Sequence, residues 1–336
     1  MAKPAFVAAT GRRLSRLART LSRRHPRTSG ESPAARPQPV QIVVTPGSGN
    51  GRAMMTARRL TRLLRRHGVE TAIQTFDNLA ALRSWADTCE PSFSHLICIG
   101  GDATLSNAAL ASVRTKVPFV PVPNGFGNLF ARVFGFPDHA EAVVRLLETG
   151  QMRRVDVGAA EEKAGPEPFL SHRSYGLLEQ IQEAAEHGRR QPRQRLLRHL
   201  WYYGVAYRFL FRARLSSYAV EVDGATVADD AVLVTVANVE TYGGFLTLTP
   251  SASPIDGRFD VAVLPRVSKA ALLMRLVRAL LRLSPGRHKP LTIYRGRRVV
   301  VTTPRRRDVL TVWRQALPLL VPPGAIEDLR GRTVEE

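Results

Sequence analysis

Cysteine is scarce: Cys89 and Cys98 are the only two in 336 residues, and neither belongs to a metal-ligand spacing. This argues against a disulfide framework and points to a reducing compartment. Long apolar runs are also missing. No stretch reaches the roughly 18 to 20 residues that cross a bilayer as a helix, and the first residues lack the continuous apolar core of a secretory signal. Acidic residues are few beside basic ones, 28 Asp plus Glu against 49 Lys plus Arg, for a net charge of +21. A surface so basic attracts polyanions such as lipid headgroups, nucleotides or nucleic acid. The competing explanation is compositional, since most of these cations are arginine. Aromatic residues make up only 7% of the chain, and only Trp201-Tyr202-Tyr203 sets them among basic residues. A single-strand nucleic-acid binder needs more stacking platforms than that. Hydrophobic residues, at 44%, are sufficient for a substantial core in one large or two ordinary domains.

The first 38 residues read as a basic tail ending in the Pro-rich stretch Pro33 to Pro39. Leu14, Leu17 and Leu21 also allow a membrane-touching helix there, but a solvated tail is the simpler reading. From Val40 the texture changes. Val40 to Val44, Thr71 to Phe76, His95 to Ile99 and Pro118 to Val122 read as short buried strands. Helical spacing separates them, over Met54 to His67 with Gly68 as its stop, Leu79 to Cys89 and Thr104 to Ser112, and a further helix begins at Leu129. Strand, Gly-bearing turn and helix in repetition predict a doubly wound parallel sheet, whose ligands bind outside the carboxyl ends of the strands. Beyond Arg153 the pattern becomes β-rich: Tyr218 to Val222, Ala231 to Ala237, Phe259 to Leu264 and Arg298 to Thr302, with Asp223-Gly224 as a turn. Basic helical stretches, Arg193 to Arg214 and Lys269 to Leu283, interrupt these strands. The expected organisation is a tail (1–38), an α/β nucleotide-binding domain (39–153), a mostly antiparallel β-sandwich domain (154–326) and a short tail (327–336).

Three Gly-bearing loops fall at three strand ends. In Thr45-Pro46-Gly47-Ser48-Gly49-Asn50-Gly51, glycines let backbone amides approach a phosphate and Ser48 adds a hydroxyl, although the loop lacks the ending of a P-loop. In Gly100-Gly101-Asp102-Ala103-Thr104, a carboxylate on a tight turn suits Mg2+ or a ribose, and Thr104 opens a helix whose amides favour anions. A bare helix cap is the alternative for Asp102. Gly125-Phe126-Gly127-Asn128 offers Asn128 to ribose or base, or else forms a turn and cap.

Together these loops resemble the diacylglycerol kinase catalytic domain of bacterial lipid kinases, sphingosine kinases and ceramide kinases. The family's Asn-Pro-x-Ser-Gly-x-Gly corresponds to residues 45–51, its Gly-Gly-Asp-Gly-Thr to residues 100–104, and its Pro-x-Gly-Thr-x-Asn to Pro123 through Asn128. Arg154-Val155-Asp156-Val157-Gly158 looks like the strand that enters the second domain. Asn238, Tyr242-Gly243-Gly244, Pro250-Ser251-Ala252, Asp256-Gly257-Arg258-Phe259-Asp260-Val261 and Gly286-Arg287-His288 extend the resemblance, so that ordered matches run from about residue 40 to 325. The resemblance implies an ATP-dependent lipid kinase. Thr45, Ser48, Gly49, Thr75, Gly100, Gly101, Asp102, Thr104, Gly125 and Asn128 would lie at the nucleotide. Asp256 would help hold a structural Mg2+, and the lipid would enter between the domains.

The chain departs from the family in three places. Ala103 replaces a Gly of the hallmark, and Phe126 replaces a Thr expected at phosphate. The late Asp-Gly-Glu, source of the family's catalytic base, aligns with Trp313-Arg314-Gln315. Gln315 cannot accept a proton as a carboxylate does, and Asp308 is the nearby substitute. Rival readings are a non-catalytic nucleotide- or lipid-binding pseudokinase and an NAD kinase, which shares the Gly-Gly-Asp motif. Expected partners are ATP, a lipid and an anionic membrane surface, with a homodimer left open and no nucleic acid. The expected location is the cytoplasm, at the inner face of the membrane.

Overall fold

The computed structural model describes residues 38–45, 51–125, 127–162, 165–176, 178–179, 216–240, 242–243, 246–267, 291–303, 306–327 and 329. The tail before Gln38 and the basic stretches 193–214 and 269–283 lie outside the described residues. The chain divides into two compact units, one of residues 1–156 and 314–336, the other of residues 157–313. The division therefore falls three residues beyond the expected boundary at Arg153, and the chain from Arg314 onward returns to the first unit.

The first unit begins with β1 (Val40–Val44), a β-branched run that is buried except at Gln41. Then come α1 (Arg52–Arg66), β2 (Thr71–Thr75), α2 (Leu79–Thr88), β3 (His95–Gly100), α3 (Asp102–Thr115), β4 (Phe119–Pro123), α4 (Leu129–Val133) and α5 (Ala140–Thr149). In α1, Ala53, Ala57, Leu60, Thr61 and Leu64 are buried at spacings of three and four, and arginines take the opposite face. Asn78 starts α2 by accepting a hydrogen bond from the Ala81 backbone N–H at 2.9 Å. α3, rich in small residues, is buried from Thr104 through Ser112.

All four strands run parallel, in the order β2-β1-β3-β4. Val44 stands level with both Thr75 and Ile99, and Gly100 stands level with Pro123. The carboxyl ends therefore align, and the three Gly-bearing loops leave the sheet from one edge. Leu319, near the end of the last strand, pairs with Phe119 and extends this sheet in parallel.

The second unit is antiparallel. Its strands are the end of β5 (Gln151–Ala160), β6 (Glu167–Phe169), β7 (His172–Gly176), β8 (Tyr218–Val222), β9 (Ala225–Ala237), β12 (Phe259–Pro265), β13 (Thr292–Gly296), β14 (Arg298–Thr302) and the first part of β15 (Arg307–Val321). The small pair β10 (Tyr242–Gly243) and β11 (Leu246–Thr247) stands apart. β9 changes partners along its length. Its first half pairs with β8, and its second half lies between β7 and β12. Asp223 (φ 49°) and Gly224 (φ 89°) make the expected turn between β8 and β9. The Asp223 carboxylate accepts the backbone N–H groups of Arg297 and Arg298, each at 2.9 Å. Alternating residues such as Val220, Val222, Val234, Val236, Val261 and Val263 fill the core with Phe169 and Phe259, whose rings stack at 5.5 Å. Among the described residues no helix is long and apolar enough to cross a membrane.

Candidate active site

At the aligned strand ends, the loops after β3 and β4 meet backbone to backbone. A Cβ placed on Gly125 would lie 2.5 Å from the Cα of Gly101. A Cβ on Gly125 is therefore excluded, while one on Gly101 would lie 3.3 Å from the Gly125 Cα, so the two loops meet through backbone atoms at these glycines. The first amides of α3 open beside this contact, with no side-chain cap on that helix. Backbone N–H groups of this kind favour an anion.

Asp102 opens α3, but its carboxylate turns to the other loop. Its Oδ1 accepts the Phe130 backbone N–H at 3.3 Å, and a Cβ on Gly127 would lie 3.1 Å from its Oδ2. Burial pushes its pKa up. The backbone N–H groups of Leu129, Phe130 and Asn128, together with its own, pull it back down. The carboxylate thus ties the start of α3 to the start of α4, across 28 residues of sequence. The cap reading of Asp102 describes this contact, although the helix it serves is the next one.

Several residues expected at the nucleotide have internal partners instead. The hydroxyls of Thr45 and Thr104 are buried and bond to each other at 3.1 Å, joining the end of β1 to the first turn of α3. They brace the loops from beneath. Asn128, in a left-handed conformation (φ 48°), accepts the Gly125 N–H at 2.8 Å and donates to the Gly125 carbonyl at 2.9 Å. The amide expected to reach ribose or base therefore closes the turn around Gly125. Thr75 is exposed at the carboxyl end of β2. Ser48, Gly49 and Phe126 lie outside the described residues.

Gln315 is exposed and takes a φ of 47° within β15. A non-glycine residue in this region is strained. Here the bend is held from β5, where the fully buried Asp156 accepts the Gln315 backbone N–H at 2.7 Å and Arg154 donates to the Gln315 carbonyl at 3.4 Å. Sequence reading placed Asp156 only in a strand. An acid inside the apolar run Val155 to Val157 was the available signal of a buried acceptor.

Asp308 is buried in the second unit and bonded to the Arg306 guanidinium. Arg306 also reaches Glu162 at 2.9 Å, and Arg173 bridges Glu162, at 3.1 Å, and Glu167. The buried Tyr175 hydroxyl belongs to the same surroundings, its pKa raised first by burial and then by the charge of Asp308. Asp308, the expected substitute base, is thus a member of a structural ion-pair network. Asp256 is exposed, and its Oδ1 accepts the Arg258 backbone N–H at 2.9 Å, which makes a turn into β12. Among the described residues no group of three or more His, Cys, Asp or Glu gathers as a cation cage.

Comparison with known proteins agrees with this architecture. Residues 39–160 match the diacylglycerol kinase catalytic domain, and residues 175–313 match the YegS C-terminal NAD kinase beta sandwich-like domain. A diacylglycerol kinase of Mycobacterium tuberculosis is 26% identical over 237 residues, covering 70% of this chain and 75% of that protein. A diacylglycerol kinase of Staphylococcus saprophyticus is 23% identical over 235 residues, covering 69% and 74%. Among solved structures, a diacylglycerol kinase from Bacillus anthracis superposes with a TM-score of 0.59 at 17% identity, covering 86% of this chain and 99% of that one. The last likeness carries the fold alone. With both halves of the two-unit plan matched in order, the chain belongs to the diacylglycerol kinase catalytic-domain family.

Proposed function

We propose that this protein is an ATP-dependent lipid kinase that transfers the γ-phosphate of ATP to the hydroxyl of a diacylglycerol- or sphingoid-like lipid. The observation that carries the reading is the contact of Gly101 with Gly125 beside the uncapped start of α3. It leaves a backbone surface at the carboxyl edge of a parallel sheet, where phosphate-bearing ligands bind. Mg2+ is held in kinases largely through the nucleotide's own phosphates, with one or two protein carboxylates, and there it offsets charge on the phosphates. Asp102, at the junction of the two loops, fits as such a neighbour.

In the transfer, the lipid oxygen attacks the γ-phosphorus and the bond to the β-bridging oxygen breaks, releasing ADP. The hydroxyl proton passes to a base or to water. A positioned base typically contributes about 10²- to 10⁴-fold. Residues 313–316 read Trp-Arg-Gln-Ala, with no carboxylate. We therefore expect a slow enzyme, below the roughly 1 to 100 s⁻¹ usual for kinases. The same observation favours a second reading, a pseudokinase that binds nucleotide and lipid without transfer.

Incubation with γ-labelled ATP, Mg2+ and a panel of lipids and NAD separates these readings. Slow labelling of a lipid supports the kinase. Tight ATP binding with no labelled product supports the pseudokinase, and labelled NAD would overturn the lipid assignment.

A further inference from the structure

We propose that the exposed face of α1 is a docking surface for an anionic lipid bilayer, with a lipid phosphate seated in the groove between its arginines. The inference stands apart from the kinase reading, since it needs neither ATP nor transfer. α1 has no acidic residue among its 15, and Arg58, Arg62, Arg65 and Arg66 are all exposed. None of these four makes an ion pair or side-chain hydrogen bond among the described residues. Arg59 is the exception, paired with Glu141 at 2.5 Å. Arg58 and Arg62, like Arg62 and Arg66, stand four apart on the same face, where like charges repel and weaken a helix. Such a stripe costs the folded protein stability unless an anion occupies it.

Two further features choose the partner. Arg58, Thr61, Arg62, Arg65 and Arg66 line a groove of about 480 Å³. Thr61 forms the floor of that groove, with its Oγ1 buried, so the groove's donors are the arginines alone. Exposed guanidinium forks are the donor set for a phosphodiester. Glu70 lines only the adjoining groove, which it shares with Arg65. The second feature is Met55. At 64% exposure it is the most exposed large apolar residue described. It lies three, four, seven and eleven residues before Arg58, Arg59, Arg62 and Arg66, so it shares their face at the N-terminal end of the basic stripe. An exposed apolar side chain at the end of a row of arginines suits the boundary between headgroups and acyl chains. A nucleic acid would meet the same cations but gains nothing from the thioether, and α1 carries no aromatic residue on which bases could stack.

The test is co-sedimentation of the full chain with vesicles of phosphatidylcholine alone or mixed equally with phosphatidylglycerol, without nucleotide. Wild type is expected on the anionic vesicles only, with affinity falling steeply with salt. Each arginine near an anionic surface is worth about fivefold. R58Q/R62Q/R65Q/R66Q should therefore weaken binding on the order of a hundredfold or more, with helical content unchanged by circular dichroism. The single variant Arg62→Gln, which disturbs no packing, should lose about fivefold and keeps the test decisive if the quadruple variant misfolds. Met55→Ser should weaken vesicle binding several-fold yet leave heparin binding unchanged. The proposal is overturned if wild type binds both vesicle types equally or neither, or if Arg62→Gln changes nothing. It is also overturned if the arginine variants lose duplex RNA as strongly as vesicles while Met55→Ser has no effect on vesicles.

Discussion

Asp102 combines two demands on one carboxylate, and they can be separated. Its oxygens accept the backbone N–H groups at the start of α4, which any acceptor of that shape can do, while its charge matters only to a cation or proton. Asp102→Ala removes both and should cost about 1 to 2 kcal/mol through the lost cap. Asp102→Asn keeps the acceptor and removes the charge. Because burial is the largest influence and raises the pKa, the ionised form is the disfavoured one in the folded state. Stability linked to this group is full below the ordinary carboxylate value and is lost as pH rises through the raised one. Wild type should therefore gain on Asp102→Asn as pH falls from 7 towards 4, measured as the gap between their urea midpoints. A gap that stays constant would refute the buried-carboxylate account. At neutral pH, Asp102→Asn should weaken Mg-ATP more than metal-free ATP. Equal losses would leave Asp102 as a structural tie only.

At the scale of elements, the site depends on two loops from adjacent strands approaching more closely than any side chain permits. Gly125→Ala forces a Cβ to within 2.5 Å of the Gly101 Cα, and neither backbone can yield without moving β3 or β4. Overpacking of this kind typically costs about 1 to 3 kcal/mol. Thermal unfolding should show that loss, and calorimetry should show weakened ATP binding in whatever protein remains folded. Unchanged ATP affinity would remove the loop contact from the nucleotide site. The strands and loops that make this contact were legible in the sequence, because a buried parallel strand is a short apolar run and a βα turn is marked by glycine. β1, β3, β8 and β14 fall within a residue of their expected limits. The contacts themselves were not legible. Thr45 meets Thr104 and Asp102 meets Phe130 across 59 and 28 residues, and no local pattern encodes which polar groups will satisfy one another. β13 escaped because it alternates exposed Ile293 and Arg295 with the partly covered Thr292 and Tyr294. β6 and β10 are too short to show a period, and β15 loses its period where Trp313, Arg314 and Gln315 are partly or fully exposed in mid-strand.

For the molecule as a whole, the open question is whether a family member that keeps the glycine loops still turns over after losing the late acidic motif. The structure constrains how that motif would be restored. In Asp-Gly-Glu the glycine is the residue that tolerates a left-handed backbone. Here the left-handed residue is Gln315, not Arg314. The bend is fixed independently by Asp156 and Arg154, which hold the Gln315 N–H and carbonyl. Matching glycine to the bend moves the alignment by one residue, to Arg314-Gln315-Ala316, and neither register supplies a carboxylate. Two restorations can therefore be compared. W313D/R314G/Q315E puts glycine where none is needed and leaves a side chain at the strained position. R314D/Q315G/A316E puts glycine at the bend and relieves roughly 1 to 2 kcal/mol of left-handed strain, offset in part by about 0.5 to 1 kcal/mol of glycine entropy. The second variant should be at least as stable as wild type by urea denaturation. Its lipid phosphorylation should exceed that of both the native protein and the first variant, by up to the roughly 10²- to 10⁴-fold typical of a positioned base. If the first variant is the faster, the bend is not the glycine's place and the original register stands. If neither variant exceeds the native rate while ATP and lipid still bind, the chain is a pseudokinase whose loss of function lies beyond this motif.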